Sequence, residues 1–568
     1  ERIHYAGQDV ALVVAETFEQ ARYAASLVRV AYAEEEPAEL GPEEPAAFLA
    51  ASEPAGDQLQ HTRGDVDGAL AAAHARIEAT YTTPHESHNP MEPAATIAEW
   101  RDGALTVWDA TQWVRGTQRS LAGTFGLEPD QVRVICPFVG GGFGCKGPEW
   151  PHTVLAAAAA RDLGRPVKLV LTRAQMFTSV GHRPPTVQRM TAGAEADGTI
   201  TALRHETACA QSVVGDFVEQ CGRSTTKVLY ASPNAEVTHR VVKTNSGPGT
   251  FMRAPGECPG SFALECALDE LAIALDMDPL ALRLRNDTLT DPSTGKPFSS
   301  RHMRECFERG AEAFGWGRRD PRPGAMRDGD DLIGWGMAGA VFPGLRMPAS
   351  ARVAITADGR ARVRAATHDL GTGAYTVFTQ VAADALGLPP ERVTFELGDS
   401  SFPNAPVAGG SNSTASVSEA VSAACATART ELGELAGAPG ASLAELDVAD
   451  VLSGAGRESV EGEASVAPDD EVASAYTMLS FGAQFVEVRI DPGFPRVRVA
   501  RVVSVMDAGR ILNPKTSASQ VAGSVVMGIG MALMEETAVD PGTGRIVGDN
   551  LADYAMPVNP DAPAVEVQ

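Results

Sequence analysis

The sequence predicts a mixed α/β protein built from several domains. Short runs of β-branched residues alternate along the chain with Ala- and Leu-rich runs at helical spacing. The balance of 44% apolar and 21% charged residues is typical of globular proteins. The length of 568 residues corresponds to three or four domains at roughly 150 residues each. Glycine (56) and proline (38) are abundant, which predicts many loops and close backbone approaches.

The charge balance argues against some classes of partner. With 47 basic and 73 acidic residues, the net charge is −26, whereas binding to nucleic acid or anionic lipid favours a basic surface. The longest apolar stretch, 521–534, is too short and too rich in glycine for a predicted membrane span. The first residues lack the pattern of a secretion signal, and the sequence leaves open a periplasmic or a cytoplasmic location.

The cysteines and histidines do not form an ordinary metal motif. None of the eight cysteines belongs to a C-x-x-C pair, so we predict buried free thiols instead of an iron–sulfur or zinc site. His85 and His88 flank a glutamate, but a zincin helix needs histidines at i and i+4. Pro90 also disfavours a helix there. We expect a loop with hydrogen-bonded histidines.

Local patterns predict several elements. The first 36 residues are typical of a strand, a helix beginning near Phe18, and a second strand, followed by an acidic linker. Further helices are predicted over 151–163, 262–275, 375–386 and 519–535. Alternating residues on both sides of 491–494 predict a β-hairpin.

The most informative stretch follows a predicted strand at 131–139 and reads GGGFGCKG over 140–147. It formally matches the dinucleotide fingerprint G-x-G-x-x-G, but the next strand ends at Arg173 instead of at an acidic residue. A Walker A loop is also disfavoured, because neither Ser nor Thr follows Lys146. What remains is a main-chain surface rich in N–H donors, suited to an anion or a flat polar cofactor.

Comparable polar turns recur elsewhere in the chain. They lie at 369–373 and 409–414, while Gln112 lies in a short polar break and Gln520 near a helix start. Each one alone is typical of a tight turn or a cap. Together they predict one large ligand held by loops from both halves of the chain.

These stretches resemble a known family. The loop GGGFGCKG is similar to the G-G-G-F-G-x-K loop of the large subunits of molybdenum hydroxylases, the xanthine dehydrogenase and aldehyde oxidoreductase family. TQWVRGTQRSLA, FMRAPGE, GTGAYTVFTQVAADALGL and GGSNSTASVSEAV resemble further blocks of that family in the same order. The resemblance covers essentially the whole chain and is strongest to bacterial periplasmic aldehyde oxidoreductases.

The resemblance implies an α/β (α+β) fold with a definite domain order. Residues 1–36 would be the C-terminal part of a hammerhead domain, and 37–60 a linker. Two large molybdopterin-binding domains would follow at 61–310 and 331–568, joined by a linker at 311–330. The family's G-x-G-E loop, which carries a glutamate base, does not occur in this sequence. The resemblance therefore implies a truncated chain, a base from a separate piece, or a split polypeptide without catalysis.

The resemblance also implies a set of site residues. Gln112 would hydrogen-bond an oxo ligand of molybdenum, Phe143 and Gly144 would lie on the apical side of the metal, and Arg253 would lie beside it. The implied cofactor-contacting positions are Gln112, Gly141, Gly142, Phe143, Gly144, Arg253, Gly371, Thr372, Gly373, Gly410, Ser411 and Gln520. The pterin dithiolene would hold the metal, so no protein ligand is expected.

Arg253 and Arg346 are the candidate catalytic residues. Arg253 has the support of the F-M-R-A-P-G-E motif, whereas Arg346 is isolated among apolar neighbours. A charge in such a place usually needs a partner. Arg346 would either reach the substrate pocket and orient a carbonyl or lie in a surface turn.

The resemblance implies oxidation of aldehydes to carboxylic acids, with water as the oxygen source. The cofactor would be molybdopterin cytosine dinucleotide. Electrons would leave through a small [2Fe-2S] subunit and a medium FAD subunit. Hydroxylation of an N-heterocycle is the alternative; Gly147, where purine enzymes of the family carry Glu, favours aldehydes.

Overall fold

The computed structural model describes residues 2–33 and 39–568. The helices are α1 Phe18–Leu27, α2 Pro45–Ala51, α3 Val66–Ala72, α4 Val114–Phe125, α5 Pro151–Leu163, α6 Gln175–Thr178, α7 Glu257–Ala274, α8 Pro279–Arg285, α9 Met303–Phe314, α10 Ala374–Leu386, α11 Ser413–Leu435, α12 Val448–Gly454, α13 Asp470–Ala475 and α14 Pro514–Leu533.

The strands alternate with these helices in both halves of the chain. They are β1 Glu53–Pro54, β2 His61–Arg63, β3 Ala75–Thr83, β4 Ala95–Arg101, β5 Ala104–Asp109, β6 Val132–Ile135, β7 Val167–Val170, β8 Thr186–Ala194, β9 Ile200–Ser212, β10 Asn234–Thr244, β11 Arg327–Asp328, β12 Asp331–Pro343, β13 Ala349–Thr356, β14 Ala361–Arg364, β15 Val393–Glu396, β16 Ser459–Val466, β17 Leu479–Ile490, β18 Val497–Asp507 and β19 Ala564–Val567.

Each half of the chain contributes one larger and one smaller sheet. In the first half the order β1-β10-β9-β8-β3 forms the larger sheet, with β2 also on β10, and β6-β5-β4-β7 forms the smaller one. In the second half the orders are β11-β12-β17-β18-β19 and β15-β14-β13-β16. The mixed α/β class predicted from the sequence is thus confirmed.

One apolar core connects the two halves. Residues of β8 and α7 from the first half share a buried cluster with residues of α9, β12 and β17 from the second, among them Leu268, Phe307 and Phe485. At the smaller sheets, the Cys136 N–H donates to the Gly398 carbonyl at 2.6 Å. The loops at the edges of both halves are therefore held at fixed positions relative to one another.

Local signals account for the elements that border the site. Helix α5 begins at Pro151 and ends where Gly164 adopts a left-handed conformation (φ +59°), as the sequence predicts. The hairpin also forms as predicted, with Ile490 opposite Val497. Helices α7, α10 and α14 cover most of the predicted ranges but begin up to five residues earlier.

The N-terminal segment forms only part of its predicted structure. Helix α1 is present, and the Thr17 hydroxyl caps it by accepting from the Gln20 N–H. The two flanking strands do not form within the described residues, because neither segment meets a strand with which it could share a ladder. The apolar side chains of Phe18 and Tyr23 are 62% and 68% exposed as a result.

The segment predicted as a linker contains ordered structure. The acidic run at 34–36 lies outside the described residues. Beyond it, Phe48 of α2 is buried against the larger sheet of the first half, and β1 pairs with β10. All eight cysteines are free, and six of them are buried.

One helix of the described chain, α14, has the length and composition that crossing a membrane would require. A buried core helix can meet the same criteria, but only 11% of the apolar stretch of α14 is buried in this structure. Helix α14 carries three glycines, and the carbonyl of Gln520 accepts a hydrogen bond from the Arg253 side chain. The absence of a membrane span stays a prediction.

Candidate cofactor site

Gln112 joins the glycine loop of the first half to a loop of the second half. Its side-chain Nε2 donates to the Ala408 carbonyl at 2.8 Å, and its Oε1 accepts from the Gly144 N–H at 3.1 Å. Its main-chain N–H donates to the Lys146 carbonyl at 2.8 Å. Gln112 is only 2% exposed, so these bonds fix both the residue and the loops around it.

The glycine loop needs its glycines for steric reasons. A Cβ on Gly142 would lie 2.3 Å from Gln112 Oε1, and a Cβ on Gly144 would lie 2.1 Å from the Phe251 carbonyl oxygen. Gly144 also has a φ of +116°, which side chains strongly disfavour. Phe143 itself adopts a φ of +56° and is 38% exposed. The main chain of the loop therefore packs directly against Gln112 and Phe251, and the side chain of Phe143 is partly exposed.

The Glu92 carboxylate binds two residues of the glycine loop. Its Oε2 accepts from the Gly140 N–H at 2.9 Å and from Lys146 Nζ at 2.6 Å. Lys146 is 2% exposed. One carboxylate thus links the beginning and the end of the loop with charge-assisted bonds.

Arg253 brings three predicted positions together. Its main-chain N–H donates to the Phe143 carbonyl at 2.9 Å, and its Nη2 donates to the Gln520 carbonyl at 2.8 Å. Burial lowers the pKa of Arg253, although a guanidinium remains charged at neutral pH. Residues 143, 253 and 520 therefore meet, as the sequence predicts for one common site.

The polar turns of the second half lie in the same region. The Asp369 carboxylate accepts from the N–H groups of Gly371 and Gly373, at 2.9 and 3.1 Å. A Cβ on Gly373 would lie 2.6 Å from the side chain of Thr516, at the start of α14. The Val139 N–H donates to the Asp369 carbonyl at 3.2 Å, which places this turn beside the glycine loop.

The remaining turn carries Gly410 and Ser411. Both residues have positive φ values, of +60° and +55°. The side-chain Oδ1 of the adjacent Asn412 is buried and has no hydrogen-bond partner. Main-chain N–H groups in such turns form concave sites for anions.

The residues present fit a large anionic cofactor that carries its own metal. Exposed main chain at Gly371 leaves open space where a side chain would project. No group of three or more His, Cys, Asp or Glu side chains that could hold a metal ion occurs among residues 2–33 and 39–568. A ligand whose own donor atoms hold the metal requires no such group.

A buried polar network, which no local sequence pattern indicates, lies beneath the Arg253 loop. Arg183 and Glu86 form an ion pair at 2.8 Å, with 3% and 1% of their side chains exposed. Arg183 Nη2 also donates to the carbonyls of Arg253 at 2.6 Å and Met252 at 3.2 Å. His88 Nε2 donates to the Phe251 carbonyl at 2.7 Å. The predicted hydrogen bond is thus present for His88, whereas Nε2 of His85 is buried without a partner.

Glu535 is a second buried group whose importance the sequence does not indicate. It is 7% exposed and accepts from the Tyr554 hydroxyl at 2.9 Å. Burial raises the pKa of Glu535 to about 7, helped by the nearby charge of Glu86 and opposed by the Tyr554 hydrogen bond. It lies two residues beyond the end of α14 and is buried, whereas the adjacent Glu536 is exposed.

Arg346 pairs with Glu419 on α11, and its side chain is 32% exposed. Its neighbour Leu345 lies 3.0 Å from where a Cβ of Gly410 would be. Arg346 is thus next to the turn at 409–414, and its ion pair is with Glu419 and not with a residue of the Gln112 or Arg253 loops. Both sequence hypotheses for it remain predictions.

Fold and site together define a class of protein in which two α/β halves bring glycine-rich turns to one anionic, metal-carrying ligand. Comparisons with known proteins identify the family. Two models of the molybdopterin cofactor-binding domain match residues 51–287 and 309–563. The chain belongs to the xanthine dehydrogenase and aldehyde oxidoreductase family of molybdenum hydroxylases, as the resemblance implies.

Curated relatives are similar over nearly the whole chain. The chain is 40% identical over 575 residues to the aldehyde oxidoreductase molybdenum-binding subunit PaoC of Escherichia coli K12, covering 99% of this chain and 77% of that protein. It is 28% identical over 600 residues to the xanthine dehydrogenase molybdenum-binding subunit of E. coli O157:H7, covering 99% and 80%.

Solved structures share the fold. The aldehyde oxidoreductase from Desulfovibrio gigas matches with a TM-score of 0.83 and 26% identity, over 97% of this chain and 62% of that one. Quinoline 2-oxidoreductase from Pseudomonas putida 86 matches with a TM-score of 0.84, over 98% and 77%; at 23% identity this likeness shows the fold alone.

Proposed function

We propose that the chain is the molybdopterin-binding catalytic subunit of an oxidoreductase that converts aldehydes to carboxylic acids. The observation that carries the proposal is the 40% identity, over 99% of the chain, to an aldehyde oxidoreductase subunit. The balanced reaction is RCHO + H₂O → RCOOH + 2H⁺ + 2e⁻, so water supplies the oxygen. The two electrons require acceptors, which we assign to partner subunits that carry [2Fe-2S] clusters and FAD.

The proposed cofactor is molybdopterin cytosine dinucleotide. When bound, it supplies the two-electron redox chemistry of its metal. The turns at 371–373 and 410–411 would hold its pterin and phosphates through main-chain N–H groups. In the first turn this donor would be the N–H of Thr372, because those of Gly371 and Gly373 donate to Asp369. The positive φ of Gly410 and Ser411 supports this assignment. The unpartnered Oδ1 of Asn412, which can only accept, would take a hydrogen bond from an N–H of the ligand and not bind a phosphate.

Gln112, Phe143 and Arg253 would face the reacting end of the cofactor. An amide nitrogen has two N–H donors, and Nε2 of Gln112 uses one on Ala408. The other would donate to a ligand oxygen. The Arg253 guanidinium would add positive charge where an anionic ligand lies, and Phe143 would exclude water from one side.

The proposal is tested on the protein produced with its partner subunits. We expect one molybdenum per chain by elemental analysis, release of CMP on acid hydrolysis, and incorporation of ¹⁸O from labelled water into the carboxylate formed from an aromatic aldehyde. Protein from cells grown with tungstate in place of molybdate is the control and should be inactive. If no CMP is released, the cofactor is not the cytosine dinucleotide form. Oxidation of quinoline or xanthine but not of aldehydes would favour the heterocycle alternative.

A further inference from the structure

Each of the four consecutive residues 250–253 makes a main-chain hydrogen bond to one of two buried segments, 182–183 or the loop that carries His88. The Thr250 N–H donates to the His182 carbonyl at 2.8 Å. The carbonyl of residue 251 accepts from His88, and those of residues 252 and 253 both accept from Nη2 of Arg183. A carbonyl buried without a donor would cost about 1–3 kcal/mol, so this arrangement specifies the path of the loop closely.

Arg183 is itself fixed through its main chain and both terminal nitrogens, whereas its buried Nε has no hydrogen-bond partner. Its main chain and that of Glu86 exchange two hydrogen bonds, at 3.0 and 3.2 Å, in addition to the ion pair of their side chains. Glu219 is fully buried nearby and accepts from the Gly256 N–H, just before α7 begins. The guanidinium therefore has one orientation, set before any ligand binds.

The loop that Arg183 holds is the one that touches the glycine loop. The Phe251 carbonyl fills the space where Gly144 lacks a side chain, and the Arg253 N–H donates to the Phe143 carbonyl. A shift of residues 251–253 would move Phe143 and Gly144 with it. Because Ala254 has a φ of +56°, which an L residue adopts at a cost, the loop needs an external hold.

We propose that Arg183 is a positioning residue that fixes the Arg253 loop against the glycine loop and so sets the distance of both from the cofactor. The expected effect on the cofactor rests on the proposed function. The expected hold of Arg183 on the Arg253 loop concerns only residues of this chain. Arg183 acts through main-chain carbonyls and does not contact the reacting atoms.

The test is Arg183→Lys, which keeps the charge but loses the forked group that binds Glu86 through Nη1 and both loop carbonyls through Nη2. Arg301→Lys is the matched control, because Arg301 is equally buried, pairs with Asp287 at 2.8 Å and donates to the Leu229 carbonyl at 2.8 Å, away from the site. Hydrogen–deuterium exchange of the folded complex is measured by mass spectrometry. We expect Arg183→Lys to speed exchange about ten-fold at 250–256 and 140–147, and Arg301→Lys to leave both loops unchanged.

A second readout reports on the cofactor. At equal molybdenum content, Arg183→Lys should change the Mo(V) electron paramagnetic resonance signal, whereas Arg301→Lys should give the wild-type signal. Unchanged exchange in folded Arg183→Lys, or a wild-type signal despite faster exchange, would overturn the proposal. Wild-type protein without molybdenum would instead count against the proposed function, and the exchange data would still decide whether Arg183 holds the loop.

If Arg183→Lys does not fold, Glu86→Gln tests in its place whether Arg183 holds the Arg253 loop. It leaves the donors of Arg183 in place and removes only the charge that orients them. We expect about three-fold faster exchange at 250–256. No change in exchange in that variant would contradict the proposal.

Discussion

Gln112 and Ala408 exchange two hydrogen bonds across the boundary between the two halves of the chain. Nε2 of Gln112 donates to the Ala408 carbonyl at 2.8 Å, and the Ala408 N–H donates to the Gln112 carbonyl at 3.0 Å. Since Gln112 also accepts from Gly144, one buried amide aligns the glycine loop with the turn at 409–414. The cofactor site thus depends on a contact between residues 296 positions apart.

The first prediction concerns this amide. Gln112→Leu removes the donor to Ala408 and the acceptor for Gly144, and each stranded group should cost on the order of 1–3 kcal/mol of unfolding free energy. We also expect about ten-fold less bound molybdenum, which corresponds to a modest loss of binding free energy. Urea denaturation and elemental analysis measure the two effects.

Gln188→Leu is the control that distinguishes loss of stability from loss of bound molybdenum in Gln112→Leu. Gln188 is fully buried in β8 and bonds Pro259, Thr186 and His205. Its replacement should lower stability similarly without reducing molybdenum content in the folded fraction. Equal molybdenum loss in both variants would show that Gln112 matters only for folding.

The second prediction concerns the glycine loop. Gly144→Ala would force a Cβ to within 2.1 Å of the Phe251 carbonyl at a φ of +116°. We expect a loss of about 3 kcal/mol or more. Gly123→Ala in α4, where the new Cβ meets nothing within 4 Å, should stabilise the protein by up to about 1 kcal/mol. Thermal unfolding compares them; a neutral Gly144→Ala would be inconsistent with the described loop.

The third prediction concerns stability at acid pH. Nε2 of His368 accepts from the Val114 N–H at 3.1 Å, so the ring is neutral, and burial lowers its pKa to about 3. The unfolded chain takes up this proton at the usual value near 6.5, so the contribution is complete above that pH and is lost as the pH falls towards 3. At pH 5 the loss should be about 2 kcal/mol.

His368→Gln keeps an acceptor for Val114 and cannot titrate in this range. Its urea midpoint should therefore fall less than that of the wild type between pH 7.5 and 5. His74→Gln, at an exposed position, is the control and should leave the pH dependence unchanged. Parallel curves for His368→Gln and the wild type would refute the assignment.

The fourth prediction concerns a loss of stability as the pH rises, the opposite direction to that of His368. Because the pKa of Glu535 is raised to about 7, the folded state holds its proton more tightly than the unfolded state does. Its contribution is complete below about pH 4.5 and is lost as the pH rises through 7. Glu535→Gln stays neutral and should be more stable than the wild type at pH 8 by about 3 kcal/mol, with no gain at pH 4.5. The exposed neighbour variant Glu536→Gln should show no such difference between the two pH values.

Much of the site could be predicted from the sequence because its signals are local. The glycines of 140–147, the FMRAPGE loop and the turns at 369–373 and 409–414 each carry a recognisable pattern over a few residues. Helix α5 could be predicted for the same reason, since Pro151 and Gly164 mark its ends.

The rest depends on contacts between distant residues. Glu86 and Arg183 are 97 positions apart, and nothing near either residue in the sequence indicates a buried ion pair. Glu535 becomes titratable in the neutral range only because the fold buries it beside Tyr554. Among residues 2–33 the strands predicted on both sides of α1 do not form, for a related reason: alternation shows that a segment can be a strand, but a strand needs a partner.

The last prediction concerns Arg346 and decides between its two hypotheses. Arg346 pairs with Glu419, and both side chains are partly exposed, at 32% and 46%; such a pair contributes roughly 0–1 kcal/mol to stability. Arg346→Met should therefore leave the thermal midpoint and the molybdenum content nearly unchanged. If the guanidinium leaves Glu419 to orient the substrate carbonyl, turnover should fall about ten-fold or more. Glu419→Gln, which removes only the surface partner, should then keep wild-type turnover, whereas full activity in Arg346→Met would assign Arg346 to a surface turn.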